Sequence, residues 1–310
     1  MKKIFKAAAY ICCIAILLCG CTAEMPEMNK EKISVITTIF APYDFVRQIG
    51  GDRVSVKMLL HPGADSHSYE PSPKDIVRIS DCDLFIYTGG ENDEWVSGLL
   101  KNNKDINTLK MLDCVDTIDE EIKDGMAGHE HSGHGEADDH VWTSPKNAIG
   151  IVEKIREQLC AKDPENSGYY TENAAAYTAK LQKTDSEFRE IVKNAKRKTL
   201  IFGDRFPVRY FVEEYGLDYY AAFPGCSSSV EANPKTVEYL INKIKAEKIP
   251  AVFYIELSDK RMAKVLAEET GAKMLLFHSA HNVSAEDFKN GITYLDIMKN
   301  NEKALKEALS

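Results

Sequence analysis

The chain has 310 residues, with 39 Lys+Arg against 48 Asp+Glu and a formal net charge of −9. At 44% hydrophobic and 28% charged residues it is globular and not a disordered tail, too long for one small domain and long enough for two. No Gly-X-Y period, heptad run or repeat of about 20–50 residues is present, which excludes collagen, coiled coil and solenoid, and the acidic balance argues against nucleic acid, whose phosphates need Lys and Arg, and suits a cation or a neutral ligand.

In chain order, Lys2, Lys3 and Lys6 precede an apolar run, Ala7 to Leu18, of signal-peptide length and too short to span a membrane comfortably. It ends in Leu18-Cys19-Gly20-Cys21, which resembles a bacterial lipobox with Cys21 as the acylated residue. Residues 1–20 are therefore expected to be a lipoprotein signal peptide and 21–31 a polar tether. That anchor would hold the mature chain to the extracellular or periplasmic face of a cell membrane. Cys82, Cys114, Cys160 and Cys226 are widely spaced, so disulfides and separate thiols both remain open.

The mature chain alternates strands and helices. The β-branched run Lys32–Phe40 predicts a strand and Ala41–Ile49 a helix, followed by a strand at Val54–Leu60, a helix at Pro73–Ser80 and a strand at Asp83–Thr88. A helix at Trp95–Lys101, a strand at Asn107–Leu112, a loop at Glu120–Asp139 and a helix at Asn147–Leu159 complete a first lobe, residues 32–160. Ser167–Ala195 carries Tyr177, Leu181, Phe188 and Ile191 or Val192 at helical spacing with no proline, so residues 161–196 predict one long linking helix. The second lobe, 197–310, repeats the alternation: strands at Lys198–Gly203, Asp218–Ala222, Ala251–Ile255 and Lys273–Phe277, helices at Pro207–Tyr215, Pro234–Glu247, Asp259–Thr270 and Ala285–Leu309. The fold class is α/β, two lobes that each hold a parallel sheet flanked by helices. Ligands of such folds bind beyond the carboxyl ends of the strands, here in the cleft between lobes.

The eight histidines fall in three groups, each just past a predicted strand: His61 and His67; His129, His131, His134 and His140; His278 and His281. Imidazole is the commonest ligand for borderline divalent metals, and grouping at strand ends is where these folds build sites.

Gly63-Ala64-Asp65-Ser66-His67-Ser68-Tyr69-Glu70-Pro71-Ser72-Pro73, Asp138-Asp139-His140-Val141-Trp142-Thr143-Ser144-Pro145, and Asp163-Pro164-Glu165-Asn166 with Tyr169, Tyr170 and Asn173 together resemble the zinc/manganese class of ABC-transporter solute-binding lipoproteins. The resemblance spans Lys32 to the C-terminus and assigns metal ligands to His67 and His140. It implies a binding protein and not an enzyme, a monomer that delivers its ion to an ABC permease and its ATPase, with no nucleic-acid partner. The second lobe departs from the pattern. The family's ligand position there falls near Gly203, which has no side chain, and its final Asp is replaced by His278. The third ligand is then expected to be His278, with His281 as the competing donor, and the fourth Asp204, water or nothing. Glu256 is expected either to hydrogen-bond a ligand histidine from behind or to cap the next helix. Gly128–Glu136, within a loop at about 122–139, resembles the His-rich loop of zinc-type members, with His129, His131 and His134 as auxiliary metal-capturing residues.

Three imidazoles with one open or oxygen position suit Zn2+, whereas Mn2+ is harder and prefers more carboxylate. Such ligands must be neutral, so affinity is expected to fall below about pH 6. The rival classes are an exported zinc hydrolase, disfavoured because HExxH is missing and Glu70 is the only local candidate base, and a metal-stabilised surface adhesin.

Overall fold

The computed structural model describes residues 32–64, 69–90, 93–127, 137–225 and 233–310. The first sheet holds β1 (Ile33–Thr37), β2 (Val54–Met58), β3 (Leu84–Tyr87) and β4 (Thr108–Lys110) in the order β2-β1-β3-β4. The second holds β5 (Thr199–Phe206), β6 (Asp218–Pro224), β7 (Ala251–Tyr254) and β8 (Lys273–Leu276) in the order β6-β5-β7-β8. All strand pairs within both sheets are parallel. Their central strands bury both faces, as at Val35, Ile36, Leu84, Phe85, Val252 and Phe253. They therefore read in the sequence as continuous apolar runs.

Helices cover the sheets: α1 (Phe40–Gly50), α2 (Pro73–Asp81), α3 (Glu94–Asn102) and α4 (Pro145–Lys162) around the first, α6 (Arg209–Tyr215), α7 (Pro234–Glu247) and α8 (Arg261–Thr270) around the second. Between them α5 runs unbroken through Ser167–Lys193, 27 residues and so about 40 Å. Its buried residues Tyr170, Ala174, Tyr177, Leu181, Thr184, Phe188 and Val192 form one stripe at spacings of three and four. Of the two alternatives at its end, Val192 is buried and Ile191 only partly so. The stripe packs on α1 and α4, and on the last helix, α10 (Tyr294–Ala308).

Local chemistry sets the breaks. The helix expected over Ala285–Leu309 is two, α9 (Ala285–Lys289) and α10. Gly291 takes φ +75° between them, and Thr293 opens α10 with a capping box to Asp296. The expected start of α8 at Asp259 moves to Arg261 because Lys260 is left-handed, φ 61°. The stretch expected as a plain first-lobe loop reaches the second sheet: Ala127 N–H donates to Ala222 O at 3.0 Å, Lys123 pairs with Asp218, and Tyr219 O–H donates to Glu121. Cys82, Cys114 and Cys160 are free thiols. Among the described residues no helix is long and apolar enough to cross a membrane.

Candidate metal centre

Chain leaving the first lobe brings Asp138, Asp139 and His140 together just before α4, all at most 2% exposed. Asp138 folds back so that its Oδ1 accepts the His140 N–H at 2.9 Å. The same oxygen lies 3.1 Å from His140 Nδ1, as does Asp139 Oδ1. A carboxylate pair on Nδ1 fixes the ring hydrogen there and leaves the Nε2 lone pair for a metal, the usual way in which a ligating histidine is oriented. Burial opposes charge on this ring, but Asp139 and then Asp138 outweigh it and push the metal-free imidazole up to about 9.

His140 lines a cavity of about 260 Å³ between the lobes, together with Ala64, Asp204, Glu256, His281 and Asn282. Across it, the rings of His140 and His281 lie edge to face with centroids 5.8 Å apart. Zn–N bonds of about 2.0–2.1 Å from a tetrahedral ion would put two imidazole centroids about 5 Å apart, so these two rings are already near the spacing at which one ion is shared. Trp142 packs on both rings, at 5.5 Å from His140 and 5.2 Å from His281. Its Nε1–H donates to Ser279 O at 2.8 Å.

Behind His281, Glu256 accepts the N–H groups of Ser279 at 2.8 Å and His281 at 3.2 Å and also the Ser279 hydroxyl. It holds the backbone that carries the ring. His278 is set differently. Its Nδ1 lies 3.0 Å from Ala280 N–H, which donates to it, and 3.5 Å from Glu256 Oε2, so that nitrogen is engaged by its own turn and by the residue behind it. Its backbone is clamped to α10 by Asn301 at 2.9 and 2.8 Å, and it is not among the residues that line the cavity. Asp204 does line it, but its carboxylate already accepts from Arg205 N–H at 2.9 Å and Ile255 N–H at 3.3 Å. Burial keeps that carboxyl above its ordinary value.

Residues 35–308 match the model of the family described as zinc-uptake complex component A, periplasmic. The chain belongs to this family. It is 33% identical over 311 residues to the zinc-binding lipoprotein AdcA of Streptococcus pneumoniae, covering 99% of this chain and 61% of that protein. It thus spans about three-fifths of that relative's length. It is also 33% identical over 305 residues to the high-affinity zinc uptake system protein ZnuA of Bacillus subtilis, covering 96% of this chain and 95% of that one. The crystal structure of the Zn(II)-bound ZnuA-like domain of S. pneumoniae AdcA superposes with a TM-score of 0.73 at 31% identity, covering 90% of this chain and 99% of that one.

Gly203, near which the resemblance places a ligand, has no room for a side chain. A Cβ there would lie 2.5 Å from Ala263 Cα and 2.7 Å from its N, because α8 packs directly on β5. The position is closed to any side chain. Gly203→His is therefore expected to destabilise the fold by more than the about 1–3 kcal/mol that an added methylene costs a packed core, without adding a ligand. Denaturant unfolding beside a zinc titration checks both halves. Cys21, His67, His129, His131, His134 and Cys226 lie outside the described residues. Sequence reasoning gave Asp138 and Asp139 no role; two acids directly before a histidine that must be buried were the available signal.

Proposed function

We propose that this chain captures Zn2+ outside the membrane and delivers it to the permease and ATPase of an ABC importer. The observation that carries the reading is His140, buried, with Nδ1 held by two carboxylates and its ring facing His281 across a cavity of about 260 Å³. Membership of the zinc-uptake family supports the same conclusion.

In this reading His67, His140 and His281 supply imidazoles, and Asp204 or water the remaining position. His281, the competing donor, takes the part expected of His278. A donor set this rich in nitrogen favours Zn2+ over Mn2+. Residues 1–20 are removed, Cys21 carries the lipid, 21–31 is the tether, and the mature protein acts as a monomer on the outer face of the membrane. His129, His131 and His134 collect metal weakly.

The test is zinc titration by calorimetry of the intact protein and of a variant lacking Gly128–Glu136. One tight site per chain is expected in both, with weak additional stoichiometry only in the intact form. Loss of the tight site on deletion, or no tight site in either, sinks the reading.

A further inference from the structure

After β8 the chain leaves the second sheet through His278–Val283, and this stretch is pinned from both lobes. Glu256, just past β7, holds the N–H groups of Ser279 and His281 on one side. On the other, Asn282, 3% exposed, spends both Nδ2 hydrogens on the first lobe, donating to His61 O and Ala64 O at 2.8 Å each. These partners lie 221 and 218 positions away in the chain. Its Oδ1 accepts Val283 N–H at 2.8 Å, and Gly63 N–H donates to Val283 O at 2.8 Å.

The side-chain choice is specific. A primary amide is the short uncharged group that offers two donors and an acceptor together; serine has one donor, aspartate and leucine none. Ala64 and Asn282 line the cavity beside His281, and the His61–Ala64 loop runs in sequence into His67. Buried hydrogen bonds to backbone carbonyls fix a distance, and here the distance is between the first-lobe loop and the neighbour of a proposed ligand.

We infer that Asn282 is a positioning residue for the metal: by holding His61–Ala64 in register with His281 it sets how firmly the cavity retains its ion. The inference rests on the zinc reading above. Asn282→Leu keeps the approximate shape and removes every polar contact; Asn282→Ala removes the contacts and leaves room for water. The two differ enough in packing that one misfolding leaves the other to decide.

Zinc dissociation into excess chelator is expected to speed up about 10–100-fold, the usual effect of losing an outer partner of a metal site, with association within about twofold. Co2+, which nitrogen-rich sites accept, should show an altered visible absorption in the variants, reporting a changed ligand geometry. Unchanged dissociation and an unchanged Co2+ spectrum, with only a lowered melting temperature, would overturn the proposal and leave Asn282 a structural clamp. His140→Ala, run in parallel, separates the two levels: if it retains wild-type zinc affinity, the cavity is not the zinc site and the inference falls with that reading.

Discussion

Alanine at His281 lowers zinc affinity by on the order of 10²-fold, whereas asparagine at His278 leaves it within about threefold. The first figure follows from sharing a binding free energy of about 10–16 kcal/mol among four ligands, about 3 kcal/mol each. Geometry supplies the contrast. His281 stands 5.8 Å from His140, centroid to centroid, on the cavity wall, while His278 commits Nδ1 to Ala280 N–H. Asparagine suits the second position because its Oδ1 accepts the N–H two residues on, as this imidazole does, so the turn is kept and only the second nitrogen is lost. Competition titration against a chelator of known affinity gives both numbers. A large loss at His278 with none at His281 would reverse the assignment. His140→Ala belongs to the same series and should match His281→Ala.

In the proposed centre the part of His140 was open to a sequence reading, and the choice between His278 and His281 was not. His140 lies in a long stretch of matched sequence, and the long stripe of Tyr177, Leu181, Phe188 and Val192 is a simple period; both are local patterns. The choice between His278 and His281 is not local. It depends on Glu256, more than twenty positions earlier, drawing in the N–H groups of Ser279 and His281, and on Asn301 clamping His278 from α10. No spacing rule encodes which of two histidines three apart faces a cavity when the turn between them is shaped by distant partners. The closed position at Gly203 has the same character: the glycine is visible in the sequence, but the helix residue that fills its place, Ala263, is sixty positions further along the chain. The broken terminal helix was readable in principle, since Gly291 and Thr293 are a stop and a start signal within three residues.

Zinc affinity should rise about tenfold per pH unit from about pH 6.5 to about pH 9 and then level off. The ring of His140 in the metal-free protein is pulled two ways: burial lowers its proton affinity, and Asp139 and Asp138 raise it, with a net value of about 9. Nδ1 keeps its hydrogen on the carboxylates throughout, so the proton that leaves on metal binding is the one on Nε2, where zinc must bond. At pH 7 that proton is present and has to be expelled, which makes binding linear in hydroxide concentration; above about 9 it is already gone. The acidic limit is therefore higher than the pH of about 6 expected for unperturbed imidazoles. By linkage the sign for folding is opposite. The raised value stabilises the metal-free fold fully below pH 6.5, and that contribution is lost as pH rises through about 9, so apo and zinc-loaded stabilities should diverge with increasing pH. Calorimetry at pH 7.5 in two buffers of different ionisation enthalpy should register about one proton released per zinc. Asp139→Asn, which removes the largest of the raising influences, should move the plateau to lower pH. An affinity that is flat between pH 7 and 9, with no proton released, would mean that His140 meets the ion already neutral and that the carboxylate pair does not hold its charge.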